Sequence, residues 1–378
     1  STQISGLKAQ SVPGLLTSQI ALFGTDQLRS FSAAQIASFT SAELNAISTD
    51  NISSLKASQI SAMSSTQISS LATDRIQALT ASQIIAVSTS AISQLSTQAI
   101  ASINTDDFAA LTNGQISAIT TASIKAITTD QVQAIAAGQM RGFTTDQLNA
   151  LGSDRIAALT SSAINALSAG QISALTTTQI HAFTTDDIKA LNLTQIRSLT
   201  SDQLKTLSTD QIAAVGANQI SGFSGDQIAV LTTRQIPAFG TSQISAFTNT
   251  QLMAMGTSQV SVLTSDQAVS LSATQINGWS AGQITALSTD AVTALTTLQA
   301  QGLSRSALGA LNTAQIQAFQ SSDIQVIAAK QLSVLSSAQA GALTTDLLLA
   351  LSTQQLTNLT SAAISGLTTD LLSSIRTS

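Results

Sequence analysis

The chain has 378 residues, 43% of them hydrophobic, 9% charged and 3% aromatic, with no Cys, no Tyr, one Trp, one His and a net charge of −5. That much apolar side chain supports a packed core rather than a disordered chain, and 14 Lys and Arg scattered without a run exclude a nucleic-acid track. No stretch approaches about 18 consecutive apolar residues, so no segment is expected to span a membrane.

An eight-residue unit fills the chain. With STDQIAAV (208–215) numbered 1 to 8, position 8 falls on Leu7, Leu15, Phe23 and every eighth residue to Ile375, which makes 47 octads with no insertion or deletion. Every position 8 is Leu, Ile, Val, Met, Phe or Trp, and it holds nine of the ten Phe residues and Trp279. Position 5 is Ile, Leu, Val, Met, Phe or, in three octads, Ala. Position 7 is Ala, Gly or Ser in 39 of 47 octads, and position 4 is Gln in 30.

Apolar residues three apart fit a helix, whereas a strand alternates every second residue. One continuous helix is excluded, because eight residues at about 100° each carry the apolar stripe roughly 80° past two turns. The helix must break once per octad, and position 1 shows where. Of the 46 complete octads, 31 have Ser or Thr there, three Asn and five Gly, all preferred N-caps. Gln three places later completes the capping-box spacing. Asp at position 3, as in Asp210 or Asp226, complements the helix dipole.

Each octad therefore reads as a cap, about one and a half helical turns and a sharp re-entry into the next cap. A helix this short is unstable alone. It needs neighbours over positions 5 and 8, with small residues at 7 letting backbones approach, which is the logic of a solenoid. The expected fold is all-α: a single uninterrupted solenoid over 1–378 of about 47 capped short helices, one per octad. The alternative is a β-solenoid with 16-residue coils of two octads, favoured by Thr and Ile but not by Ala at position 7.

Individual residues qualify this pattern in chain order. Pro13 and Pro237 fall at position 6, where a missing amide should end the helix early. Glu43, the only Glu, takes a Gln position, and the preference for the neutral amide fits avoidance of like charges in stacked octads. The doublets Asp106–Asp107 and Asp186–Asp187 read as capping or solvated carboxylates; the sharper reading is a cation site shared with Thr or Gln oxygens. His181, at position 6, belongs on the solvated face with Lys189, Arg197 and Lys205. The Thr-Thr pairs read as caps, or as a ladder suited to ice or sugar. Asp106, Asp146, Asp186, Asp226 and Asp266 recur every 40 residues, and Asp50, Asp130, Asp210, Asp290 and Asp370 every 80. Both block duplication and a structural repeat of five or ten octads account for these periods.

No nucleophile has a His partner at motif spacing, and calcium and phosphate loops are absent. The expected catalytic, cofactor-binding and metal residues are none, and the expected activity is non-enzymatic. Runs such as TTDQLNAL (144–151), TSDQLKTL (200–207) and STDQIAAV (208–215) resemble the octapeptide repeats of very large secreted or surface-associated bacterial proteins, adhesin-like or S-layer-like. The resemblance covers the whole chain, and its motif is structural. It implies an extracellular Gram-negative setting and a scaffold or filament role. Opening on Ser rather than Met suggests a processed or excised part of something longer. The expected partner is a further copy of the chain, end to end or side by side, because the final octad TTDLLSSI, with Leu371 in the Gln place, is as apolar as any interior one. The competing readings are a stalk or spacer, or a face that binds sugar, calcium or ice.

Overall fold

The computed structural model describes residue 4 and residues 6–376, with side chains to Ser374. The chain divides into two compact units, Ser1–Leu191 and Asn192–Ser378. In both, nearly every octad forms one short helix, running from position 2 to position 5, 6 or 7, as in Thr17–Ile20, Ala33–Ala37 and Ser41–Ala46. Two extended residues make each link, for example Ile47 (φ −70°, ψ 130°) and Ser48 (φ −66°, ψ 158°). No strand occurs among the described residues, which removes the β-solenoid with 16-residue coils. The capping chemistry decides against it: Ser32 Oγ accepts from the Gln35 N–H at 3.2 Å, and the Ser32 N–H donates to Gln35 Oε1 at 2.6 Å.

Position 5 is buried from Ile4 to Leu348, fully so at Leu28, Ile36 and Leu44, whereas Leu356 is half-buried and Ile364 exposed. Position 8 is buried from Phe31 to Leu359, with Leu15, Phe23 and Leu367 half-buried and Leu7 exposed. Side chains at position 8 of consecutive octads touch. Ring centroids lie 5.5 Å apart for Phe23–Phe31, 5.3 Å for Phe31–Phe39 and 5.4 Å for Phe239–Phe247. Burying two large apolar side chains per octad is the main stabilising term.

Stacking brings together octads that are three and four apart. In the first unit Ala57–Ser61 packs on Ala81–Ala86, and in the second Thr241–Ser245 packs on Ser265–Ser270, both three octads on. Side chains at position 6 reach across the same step: Asn45 Nδ2 donates to the Ser70 carbonyl at 2.8 Å, and Thr285 Oγ1 to that of Ala310 at 3.0 Å. Other bonds reach four octads back, over 28 and 31 residues. One coil in each unit thus takes between three and four octads. Octads relate to the coil as residues relate to an α-helix, where i+3 and i+4 are the neighbours. A 40-residue step is not a direct contact step in this geometry.

Position 7 lies against position 2 of the octad three earlier. Ser38 Oγ donates to the Ala9 carbonyl at 2.9 Å, and Ser70 Oγ to Ser41 Oγ at 2.7 Å. At Gly142 the approach is closer still: a Cβ would stand 2.7 Å from Asn113 Cα. The small residues at 7 are there for this contact. The expected early end is seen at Pro237, whose octad keeps only Ile236–Ala238. It is not seen at Pro13, where 3-10 turns run the full six residues Ala9–Gly14, as they also do without proline over Ala137–Gly142 and Ala217–Gly222. Thr145–Ala157 is the one place where two octads run together, through a kink at Gly152 (φ 75°), the sole positive φ among the described residues. Of the final octad, Leu371 is buried and Leu372 exposed. The rest of the expectation about the terminal octads falls on Ser1–Gln3, Ser5 and the side chains after Ser374, outside the described residues.

Glycine caps offer a simple gain. Gly256 has the backbone of a Ser cap (φ −73°, ψ 158°), and a Cβ there meets nothing nearer than Gln259 Oε1 at 3.8 Å. Gly256→Ser supplies an acceptor for the Gln259 N–H and stiffens the unfolded chain, for an expected gain of about 0.5–1.5 kcal/mol. Amide exchange over 256–263 should slow by roughly fivefold.

Candidate functional site

The most specific chemistry in the molecule is what the Gln at position 4 does. Helix geometry places it in the first turn, pointing back at its own cap, where Oε1 accepts the cap N–H. The position is nonetheless buried: Gln59 and Gln83 are each 1% exposed. The side chain therefore faces the coil beneath, and its Nε2 donates there. Gln83 Nε2 reaches the carbonyls of Ile52 at 2.9 Å and Leu55 at 2.8 Å, positions 5 and 8 of the octad four earlier. In the second unit Gln251 repeats this on Ile220 (2.7 Å) and Phe223 (2.8 Å), and Gln267 on Ile236 (2.9 Å) and Phe239 (2.7 Å).

One amide thus closes the N-terminus of its own helix and the C-terminus of another. The position-5 carbonyl already accepts the position-8 N–H of its own octad, as Ile52 does from Leu55 at 3.2 Å, whereas the position-8 carbonyl is an orphan of the helix end. A carboxylate could cap but could not donate. This explains Gln over Glu more directly than charge avoidance does.

Other residues at position 4 show which part of the job they retain. Asn51 Nδ2 still donates to the Phe23 carbonyl at 3.0 Å, Arg155 Nε to Ile127 at 2.6 Å, and Ser123 Oγ to Leu95 at 3.3 Å, each 28 residues back. Where position 4 is Arg75 or Ala307, the cap amide is accepted from below instead. Ala72 N–H donates to Asn45 Oδ1 at 2.8 Å and Ser304 N–H to Asn277 Oδ1 at 2.6 Å. These position-6 Asn residues carry a function that the octad pattern alone does not reveal.

Four carboxylates also occupy the Gln position. Glu43 Oε2 accepts from the Thr40 N–H at 2.6 Å. Asp187, 1% exposed, accepts from the Thr184 N–H (2.9 Å), Thr184 Oγ1 (2.8 Å) and Ser161 Oγ (2.9 Å). Burial pushes Asp107 above the usual carboxylate range, partly countered by the Asn104 amide at 3.4 Å, with exposed Asp106 adding to the rise. Burial also raises Asp323, against one backbone bond from Gln320.

The doublets are divided in their duties. Asp187 is a buried cap, while exposed Asp186 pairs with Lys189 at 3.0 Å. No group of three or more His, Asp or Glu poised to hold a metal occurs among the described residues. His181 is exposed at the end of Thr177–His181, on the same face as Lys189, Arg197 and Lys205. Exposed pairs such as Lys189–Asp186 and Lys205–Asp202 (3.9 Å) contribute little to stability. Asp74 is held below the usual carboxylate range by its bond to Arg75. The first Thr of each pair caps, as Thr176 Oγ1 does for the Gln179 N–H at 3.2 Å. Shallow grooves beside Arg141 and Phe143, and between Ser161 and Asn165, gather no further charged groups. Among the described residues no helix is long and apolar enough to cross a membrane.

Five stretches match the family model described as the ALTTAQ repeat: residues 20–57, 100–140, 156–185, 180–217 and 236–273. They span just under half of the chain and establish it as a repeat protein. The six letters fall in this register on positions 7, 8, 1, 2, 3 and 4, as in ALTTTQ at 174–179. They contain the close-approach residue, the buried apolar residue, the cap and the Gln. No curated protein matches the chain significantly.

Proposed function

We propose that this repeat solenoid is a non-enzymatic structural element of the bacterial cell exterior, working by its regular form as the subunit of a filament, sheath or surface layer. The observation that carries the reading is the position-4 amide, which bonds each coil to the one beneath through main-chain carbonyls. Such a bond is indifferent to side-chain identity on the surface and repeats wherever the octad repeats. The links are two extended residues long, which leaves no loop to carry a reacting group. Low surface charge opposes lateral packing only weakly. The exterior setting rests on the Cys-free, Ser/Thr/Gln-rich composition and the octapeptide resemblance.

A spacer or stalk is the second reading, favoured by the same tie, since length then scales with octad number and no ligand is needed. Electron microscopy of the purified natural product at high concentration separates the two. Filaments or sheets are expected. Dispersed particles with termini verified by mass spectrometry would overturn self-association and leave the spacer.

A further inference from the structure

The register described for position 4 exposes an incomplete tie. Asp323 lies in Ser321–Val326, which follows Gln320 at the cap position, and is 2% exposed. Its Oδ2 is buried without a hydrogen-bond partner. The octad beneath is in register, because Gln320 Nε2 donates to the Thr293 carbonyl at 2.8 Å. The carbonyl 28 residues back from Asp323 is that of Leu295, the place where Asn51, a side chain of the same length, donates to Phe23 at 3.0 Å. An ionised carboxylate has nothing to donate there, whereas a neutral carboxyl has one O–H.

We propose that Asp323 is an acid-operated tie: taking up a proton, its carboxyl donates to the Leu295 carbonyl and bonds octad 320–327 to octad 288–295, a bond that opens when the proton leaves.

The surroundings support a proton rather than a charge partner. Thr297–Gly302 and Thr345–Leu349 pack against Ser321–Val326. The first carries no charged residue, the second only exposed Asp346, and octad 288–295 beneath only exposed Asp290. The causes acting on Asp323 are burial, which raises its pKa, and the Gln320 backbone bond, which lowers it, with burial the larger. A folded-state value above the ordinary 3.8 means the folded chain binds the proton first. The stabilisation is full below 3.8 and is lost as pH rises through the raised value.

The test compares the full-length chain with Asp323→Asn by amide exchange at matched pH, read over 292–296. Asparagine donates at every pH. At pH 7 those amides in the variant should exchange about tenfold more slowly than in the wild type, and the ratio should fall toward one as the pH is taken below 3.8. Asp323→Ser, which copies the arrangement at Ser123, should show a smaller pH-independent protection. A wild-type to Asn ratio that stays constant across pH, or faster exchange in the Asn variant at pH 7, overturns the proposal. Protection of the wild type at pH 7 by added sodium or calcium would replace the proton with a cation and also overturn it.

Discussion

Replacing Gln251 by Leu is expected to cost about 2–5 kcal/mol locally, because similar bulk is kept while four bonds vanish, the longest being that from Thr248 Oγ1 to Oε1 at 3.1 Å. The Thr248 N–H loses its acceptor at 2.8 Å, and the carbonyls of Ile220 and Phe223 lose a donor at 2.7 and 2.8 Å. Ile220 keeps its turn bond from the Phe223 N–H, so the unpaired groups that dominate the loss are Thr248 N and Phe223 O. Three substitutions should rank in a diagnostic order. Gln251→Asn should be mildest, at about 1 kcal/mol, since Asn51 shows that the shorter amide still reaches position 8. Gln251→Glu should be worst at pH 7, with a carboxylate facing two carbonyl oxygens, and should recover in acid. Global melting blurs such effects in a repeat array, so amide exchange over 220–228 and 248–255 is the measurement. Equal losses for Asn, Leu and Glu would mean that position 4 only fills space.

The second large effect is expected at Gly142. A Cβ there would stand 2.7 Å from Asn113 Cα and 2.8 Å from its carbonyl oxygen, and these are backbone atoms that cannot swing aside. Gly142→Val adds two further carbons and should force Ala137–Gly142 off Asn113–Ala118, at about 3 kcal/mol or more. Gly170 is the control. It is exposed, and a Cβ there meets nothing within 4 Å. Gly170→Ala, within helix Ala169–Ala174, should be neutral or stabilise by up to about 1 kcal/mol. Near-ultraviolet signals are sparse in this chain, so amide exchange over 113–118 and 137–143 is again the readout.

The local half of this architecture was legible in the residues. Caps at position 1 and burial at 5 and 8 follow from chemistry within eight or nine residues. The number of octads per coil was not, because stacking is set by how successive links turn, and no single octad encodes which distant octad lies beneath it. The reach of Gln across the stack was missed for the same reason, although a signal existed. Thirty Gln against one Glu at a capping position that tolerates either is evidence that the amide hydrogens are used. Position 6 read simply as solvated. Asn45 and Asn277 bond other octads from there, and nothing in their own octads marks them out.

Every position-4 donor described reaches backward along the chain. Gln35 bonds the carbonyl of Leu7, Gln83 that of Leu55, Gln259 that of Leu231 and Gln355 that of Ile327, always to residues made earlier. On a ribosome that adds roughly 5–20 residues per second, each new octad meets a finished surface about 30 residues behind it. It can dock without waiting for anything downstream. Sequence separations this small also make for rapid ordering. Such a chain can fold at the pace of its own synthesis and in the same direction, and adding octads to the gene lengthens the product without adding a new folding problem.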